Sequence, residues 1–321
     1  MSMASAAPRA LLPVPAPCDT PDQAPAECVV AVVVTRERPA LLRRCLAAVG
    51  GQGRPSDGLL VVDNASADDT PAVIATFPAA RHLRLDGNRG GAGGFCAGIE
   101  AALEAGADWL WLMDDDGMPL GPDCLDRLLA TAVSTGADIV GPLALDPEEP
   151  GRLSFPVRLE RRTRFRVDEV AGRPLVEGFA HLFNGVLVRA SVFRRIGLPD
   201  QRLFIRGDEV EFLYRARRHG LRVLIDTAAR FLHPSTKGEI FPILGGLFYA
   251  VVPGTELKRY YQFRNRGHIF RAYGMWSWLA ADVVRYGVHY LVNRRLDVRG
   301  YARWGAATWR GVRGDLRPWT P

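Results

Sequence analysis

Short apolar runs that end in polar, turn-forming residues recur along this chain, and they alternate with stretches whose apolar residues are spaced for a helix. Residues 28–35 (CVVAVVVT) are rich in β-branched side chains, as suits a strand buried on both faces, and Thr35-Arg36-Glu37-Arg38-Pro39 follows as its C-terminal loop. Leu41, Leu42, Cys45, Leu46 and Val49 then fall at helical spacing from a start near Pro39, and Gly50-Gly51 stop the helix. A second strand over 58–62 ends in Asp63-Asn64-Ala65-Ser66. Strand, helix and strand joined by a right-handed crossover predict a parallel α/β sheet.

The alternation continues. A glycine-rich piece over 88–95 (NRGGAGGF) precedes a helix over 96–105, and the run 109–113 (WLWLM) is a buried strand too short to span a membrane. A helix is expected over 125–133 and a strand over 137–141. Residues 146–176 are poorly periodic, with a hairpin placed around 165–176. A strand over 182–188 leads to a short helix ending at Gly197-Leu198-Pro199. An apolar strand near 203–205 turns into a helix over 210–219, a further strand covers 221–226, and a long helix runs from 276 to 292.

Where these strands end is where chemistry is expected, because ligands of such sheets lie outside the carboxyl ends of the strands. The run 109–113 ends in Asp114-Asp115-Asp116, followed at once by the turn residues Gly117 and Pro119. Alternation along an extended chain directs Asp114 and Asp116 to one side, where they can share a hard divalent cation, Mg²⁺ or Mn²⁺, whose remaining positions suit substrate phosphates. A solvated acidic loop is the plainer alternative, but three like charges fused to an apolar strand cost stability without compensation. Asp63 suits the N–H of a uracil or a ribose hydroxyl, or else caps the helix that starts after Ser66. Gly90, Gly91, Gly93 and Gly94 let backbone approach a ligand and open a helix whose N–H groups suit an anion, though flexible turns have the same composition. Asp208 and Glu209 lie where strand becomes helix; they suit a general base, or merely the acid enrichment of a first helical turn. His233, after Phe231-Leu232, suits a third metal ligand or a structural role.

With 321 residues and 48% hydrophobic content the chain holds one large α/β domain and an appendage, and is not a disordered protein. The formal charge of +6 is uneven, since residues 258–321 carry 13 Lys or Arg against 3 acids. Three regions follow: an Ala/Pro-rich tail over 1–27, a catalytic domain over 28–257 and a basic helical region over 258–321. The tail is not expected to be a signal peptide, and no stretch of about 20 apolar residues predicts a spanning helix. The cysteines Cys18, Cys28, Cys45, Cys96 and Cys124 show no CxxC spacing, which indicates neither a disulfide framework nor a zinc site and suits the cytoplasm. In the helix over 276–292, Asp282, Arg285, His289 and Asn293 share a face while Trp276, Leu279, Val283, Tyr286 and Tyr290 cover the rest, a pattern that suits the inner surface of the cell membrane or, alternatively, packing against the catalytic domain or a second subunit. No recognisable DNA or RNA module is present, so no nucleic-acid partner is expected.

The ordered set Thr-Arg after the first strand, Val-Val-Asp-Asn, Asn-Arg-Gly-Gly-Ala-Gly-Gly-Phe, Trp-Leu-Met-Asp-Asp-Asp, Phe-Asn-Gly, Arg-Gly-Asp-Glu-Val-Glu, His and Tyr-x-x-Arg-Asn resembles the inverting family 2 glycosyltransferases of the GT-A fold, over roughly residues 28–275. Within them, residues 181–185 (HLFNG), 203–211 (LFIRGDEVE), 241–244 (FPIL) and 261–267 (YQFRNRG) are similar to the actinobacterial galactofuranosyltransferases that start cell-wall galactan. The resemblance implies transfer of galactofuranose from UDP-galactofuranose to a rhamnosyl-N-acetylglucosaminyl-diphospho-polyprenol. It implies Asp114, Asp116 and His233 at Mn²⁺ or Mg²⁺, and Thr35, Arg36 and Asp63, with Asn64, at the uridine. Asn88, Gly90, Gly91, Gly93, Gly94, Asp115 and Asn184 belong to the same substrate site, Arg264 and Arg266 to the lipid diphosphate. Glu209 is the base, with Asp208 in reserve. The rival readings are a rhamnosyltransferase with a dTDP- or UDP-linked donor and an inactive nucleotide-sugar-binding scaffold.

Overall fold

The computed structural model describes residues 27–160 and 162–320; nearly all of the expected N-terminal tail, and Cys18, lie outside them. The N-terminal half alternates as its pattern dictates: β1 (Val29–Thr35), α1 (Pro39–Gly50), β2 (Gly58–Asp63), α2 (Thr70–Ala75), β3 (Ala80–Arg84), α3 (Gly90–Glu104) and β4 (Trp109–Asp114). Next come β5 (Met118–Pro119), α4 (Cys124–Thr135), β6 (Ile139–Leu145), β7 (Arg152–Leu159), β8 (Arg162–Arg166), β9 (Leu175–Glu177), β10 (Asn184–Arg189), α5 (Ala190–Ile196), α6 (Asp208–Arg218) and β11 (Val223–Leu232). A small hairpin, β12 (Ile240–Ile243) with β13 (Phe248–Val251), leads into α7 (Glu256–Ala272), α8 (Trp276–Gly287), a π-helical turn (Val288–Asn293) and α9 (Val298–Val312).

The main sheet runs β3-β2-β1-β4-β10-β6-β11-β5. The expected parallel arrangement holds for β3-β2-β1-β4 and for β6 with β11, whereas β10 lies antiparallel to both β4 and β6, so the sheet is mixed. Every residue of β1 is buried, which is why it needs an unbroken apolar run rather than alternation. One core layer packs Phe95, Ile99, Phe193 and Phe212 from α3, α5 and α6 on one face. The other packs Leu42, Leu46, Leu125 and Leu128 from α1 and α4 against Trp109 and Trp111. Register places Thr35 beside Asp63 and Val34 beside Asp114, so β1, β2 and β4 end at one edge.

Several expectations are corrected. The hairpin is β7 with β8, while β9 pairs with β11, because the apolar positions of 152–159 and 175–177 pack with Leu143 and Leu145. The helix expected from Cys96 starts at Gly90, so the glycines form its first turns rather than a loop. Residues 203–205 are not a strand: a 3-10 turn (Gln201–Leu203) precedes a loop in which Phe204, Arg206 and Gly207 all have positive φ. In α8 the polar face turns inward, with Asp282 buried and paired to Arg266 and Arg285, and His289 buried in the following turn. Trp276, Trp278, Val283 and Val284 are exposed instead. No helix among the described residues is long and apolar enough to cross a membrane. Cys28, Cys45, Cys96 and Cys124 are free.

Candidate active site

A cleft of about 810 Å³ opens at the carboxyl edge of β1 and β4. It is lined by Thr35, Arg36 and Asn64, by Asn88, Gly90 and Gly91, by Asp114, Asp115 and Asp116, by Asn184, by Asp208 and Glu209, and by His233. Residues from the whole length of the sheet-forming chain therefore converge on one space.

The acid triplet is held by its surroundings rather than by strand geometry. β4 stops at Asp114 and the chain turns, so the alternation that assigns Asp114 and Asp116 to one side does not continue past it. Asp115 turns inward, where it is buried and accepts from Thr35 Oγ1 at 2.7 Å and from Arg38 Nη1 at 3.0 Å. Arg38 Nη1 also donates to Asp116 Oδ2 at 2.8 Å. One guanidinium thus joins two carboxylates, with Asp114 close enough to be felt. Burial, then Asp116 and Asp115, drive the Asp114 carboxyl well above the usual range, and burial raises Asp115 to about 6. Burial acts to raise Asp116, but beside a doubly protonated His233 that imidazolium and Arg38 carry it the other way, to about 2.

His233 carries the most informative geometry. Its Nδ1 lies 2.7 Å from the carbonyl oxygen of Pro234, so that nitrogen carries the proton. In the neutral ring Nε2 then offers a lone pair, and it lies 3.2 Å from Asp116 Oδ1, a buried oxygen that receives no hydrogen bond. Two lone pairs at that separation suit adjacent ligands of an octahedral cation, whose neighbouring donors stand about 3 Å apart. No three metal-ligating side chains already converge into a cage among the described residues. A cation that keeps water and substrate phosphates in its shell does not require one. The residues fit a divalent cation.

The acids on the opposite wall are delivered by the strained loop before α6. Asn265 Nδ2 donates to the carbonyls of Leu203 (2.8 Å), Ile205 (3.0 Å) and Arg206 (2.6 Å), and Arg264 Nη2 to those of Arg202 (3.0 Å) and Leu203 (3.2 Å). These bonds hold a loop in which the positive φ of Phe204 and of Arg206 costs of order 1–3 kcal/mol each. Asp208 is 4% exposed, and burial together with Glu209 and Asp114 holds its carboxyl well above the usual range. Glu209 is less buried and accepts from Gly207 N at 2.8 Å. Gly207 has φ +105 and could not carry a side chain without strain.

The remaining expected residues divide. Asn64 clamps the start of α3, accepting from Arg89 N at 2.7 Å and donating to Gly90 O at 2.8 Å, and Asn88 accepts from Gly90 N at 2.9 Å. Gly90 has φ +69, and a Cβ there would lie 2.1 Å from Phe204 O. Asn184 donates to Leu182 O at 2.9 Å and keeps a buried carbonyl oxygen without a partner. Five expected residues do not reach the cleft. Gly93 and Gly94 face inward, where a Cβ would meet Arg89 Cβ at 2.4 Å and Val34 Cγ1 at 2.6 Å, so they serve helix packing. Asp63 is fully buried, accepting from Ser66 N at 2.8 Å and from Arg84 Nη1 at 2.7 Å; its role as observed is to close the turn after β2. Arg264 is fully buried on backbone carbonyls and Arg266 pairs with Asp282, so neither guanidinium is free for a lipid diphosphate.

Sequence reading missed Arg38, which shares the loop with Arg36 and has no signal of its own until Asp115 and Asp116 are seen to reach it. It also missed His181, packed between Phe155 and Phe179 and pushed down to about 3 by burial and by His233. Lys258 and the Arg206–Glu239 ion pair (2.8 Å) complete the cleft wall.

A model of the family described as Glycosyl transferase family 2 matches residues 30–194. The chain is 43% identical over 284 residues to the galactofuranosyltransferase GlfT1 of Mycobacterium tuberculosis (strain ATCC 25618 / H37Rv), covering 87% of this chain and 93% of that protein. It is 40% identical over 285 residues to GlfT1 of Mycolicibacterium smegmatis, covering 87% and 94%. Among solved structures, the mannosyltransferase PcManGT from Pyrobaculum calidifontis, in complex with GDP-Man and Mn²⁺, matches with a TM-score of 0.52 at 14% identity, over 87% of this chain and 73% of that one.

Proposed function

The chain belongs to glycosyl transferase family 2 and has the GT-A fold, and from that premise we propose that it moves galactofuranose from UDP-galactofuranose to a rhamnosyl-N-acetylglucosaminyl-diphospho-polyprenol with inversion at the anomeric carbon. The observation that carries the reading is the single cleft in which the nucleotide-side residues, the acid triplet and the Asp208–Glu209 pair face one another. Likeness over most of both chains to proteins named galactofuranosyltransferase supports the sugar.

In this reading Thr35, Arg36 and Asn64 border the uridine, and Gly90 and Gly91 bring backbone to the diphosphate at the start of α3. Asp114, Asp116 and His233 would hold Mn²⁺ or Mg²⁺, which neutralises charge on the departing diphosphate when bound. Glu209, the more accessible acid of its pair, removes the proton from the acceptor hydroxyl while that oxygen bonds to the anomeric carbon and the bond to the diphosphate oxygen breaks. Arg38 holds Asp115 and Asp116 in place. The exposed apolar residues of α8 and its neighbours, in a strongly basic region, would seat the protein on an anionic membrane surface where such an acceptor resides.

The test is transfer to a synthetic rhamnosyl-N-acetylglucosaminyl-diphospho-lipid, read by mass spectrometry with UDP-galactofuranose or a dTDP- or UDP-linked rhamnose, with Mn²⁺ or with EDTA. A hexose gained only from UDP-galactofuranose and only with metal is expected. Gain of a deoxyhexose would replace the donor, and tight UDP binding with no transfer from either donor would make the protein a scaffold.

A further inference from the structure

A second pocket, of about 390 Å³, lies among the C-terminal helices and is bordered by Glu256, Arg259, Tyr260, Phe263, Tyr290 and Arg310, among others. Its character differs from that of the cleft. Phe263, Tyr290 and Ala307 are buried and give it an apolar floor, and Trp319 closes one side. Arg303 is paired with Glu256 at 2.6 Å, whereas no ion pair or side-chain hydrogen bond engages Arg259 or Arg310 among the described residues. An apolar floor under two guanidinium groups that make no direct ion pair, with the Glu256 carboxylate already paired to Arg303, suits an amphiphile with an anionic head.

The pocket adjoins the cleft through a single helical turn. Leu257 and Lys258 of α7 line the cleft, and their neighbours Glu256, Arg259 and Tyr260 line the second pocket. A molecule could therefore cross the first turn of α7 and occupy both. Tyr260 and Arg264, whose guanidinium lies 5.6 Å from the Tyr260 ring centre, fix that turn to the segment 316–317 through backbone carbonyls.

We propose that this pocket binds the prenyl diphosphate end of the lipid-linked acceptor, with Arg259 and Arg310 at the phosphates and Phe263, Tyr290 and Trp319 around the first isoprene units. The inference rests on the proposed acceptor, and it gives the anionic lipid head a place that Arg264 and Arg266 cannot provide.

Binding of farnesyl diphosphate to the full-length protein, measured by calorimetry with saturating UDP and Mn²⁺ present to fill the donor site, tests it without any sugar. Farnesyl diphosphate is expected to bind at least tenfold more tightly than farnesol or inorganic pyrophosphate. The Arg259→Ala/Arg310→Ala variant should lose that binding about tenfold or more while UDP binds as before, and Ala306→Trp, which crowds the pocket without removing charge, should do the same. Unchanged farnesyl diphosphate binding in both variants would overturn the proposal, as would equal competition by vesicles of phosphatidylglycerol, which would make the pocket a general anionic-lipid contact. Failure of sugar transfer with farnesyl diphosphate binding intact would count against the donor or reaction and leave the pocket standing.

Discussion

Asp116 Oδ1 and His233 Nε2 face each other at 3.2 Å, and in the neutral ring both offer lone pairs, which suits a shared cation. Asp114, Asp115 and Asp208 respond to the same crowding by holding their protons more tightly than they would in an unfolded chain. A carboxyl whose folded-state pKa is raised stabilises the fold below its unfolded value, and that contribution is lost as pH rises through the folded value; each tenfold gain in proton affinity on folding corresponds to about 1.4 kcal/mol. His181, His268 and His289, lowered chiefly by burial, pull the other way as pH rises toward the unfolded histidine value, but less strongly than carboxyls held well above their usual range, so in EDTA the protein should melt at a higher temperature at pH 5.5 than at pH 7.5. Mn²⁺ with UDP should narrow the difference, and a melting temperature that rises with pH in EDTA would contradict the argument. At the opposite wall, Glu209→Gln keeps an acceptor oxygen for Gly207 N but cannot take a proton. Turnover should fall about 100-fold or more with UDP affinity unchanged, as for loss of a general base; full activity would remove Glu209 from that role.

At the scale of elements, the loop before α6 and the pairing of α7 with α9 position what the residues do. Asn265 holds three carbonyls of that loop, so Asn265→Ala should lower turnover about tenfold or more, with little change in UDP affinity, as calorimetry beside kinetics would show. α7 and α9 approach so closely that a Cβ on Gly311 would lie 1.8 Å from Arg264 O. Gly311→Ala should cost about 1–3 kcal/mol, as overpacking does, and lower the melting temperature by several degrees; an unchanged melting temperature would show that the helices can move apart. These elements differ in how legible they are. β1, β2, α1, α4 and the strand ending in Asp114 could be read from the sequence because local apolar spacing alone decides them. The loop 204–207 could not, since its positive φ values are imposed by Asn265 and Arg264 from some 60 residues away. Distance likewise hid the position of Arg264, and Arg266 is hidden by Asp282 of the next helix, 16 residues on; the basic side chains of both suit a phosphate until their buried partners are known.

On the scale of the whole molecule, charge and apolar exposure are concentrated at one end of the chain. Residues 258–321 hold 13 basic residues against 3 acids, and Trp276, Trp278, Val284, Val292, Leu296 and Trp309 are exposed there. The facing of α8 was only partly legible: its periodicity separates two faces, but burial of Asp282 depends on Arg266 from α7. Sedimentation with vesicles should show binding to phosphatidylglycerol membranes that weakens with salt, and Trp278→Ser/Val284→Asp should reduce it severalfold; equal binding by that variant would move the contact elsewhere. Convergence of distant acids on one cleft ties these scales together, and the central claim of the proposed function is a single displacement at the anomeric carbon. The direct measurement is the nuclear magnetic resonance spectrum of the product formed from UDP-galactofuranose and the lipid-linked disaccharide, read at the new anomeric centre. One galactofuranosyl linkage of configuration opposite to the donor's is predicted, and a product of retained configuration, or none, would contradict the account.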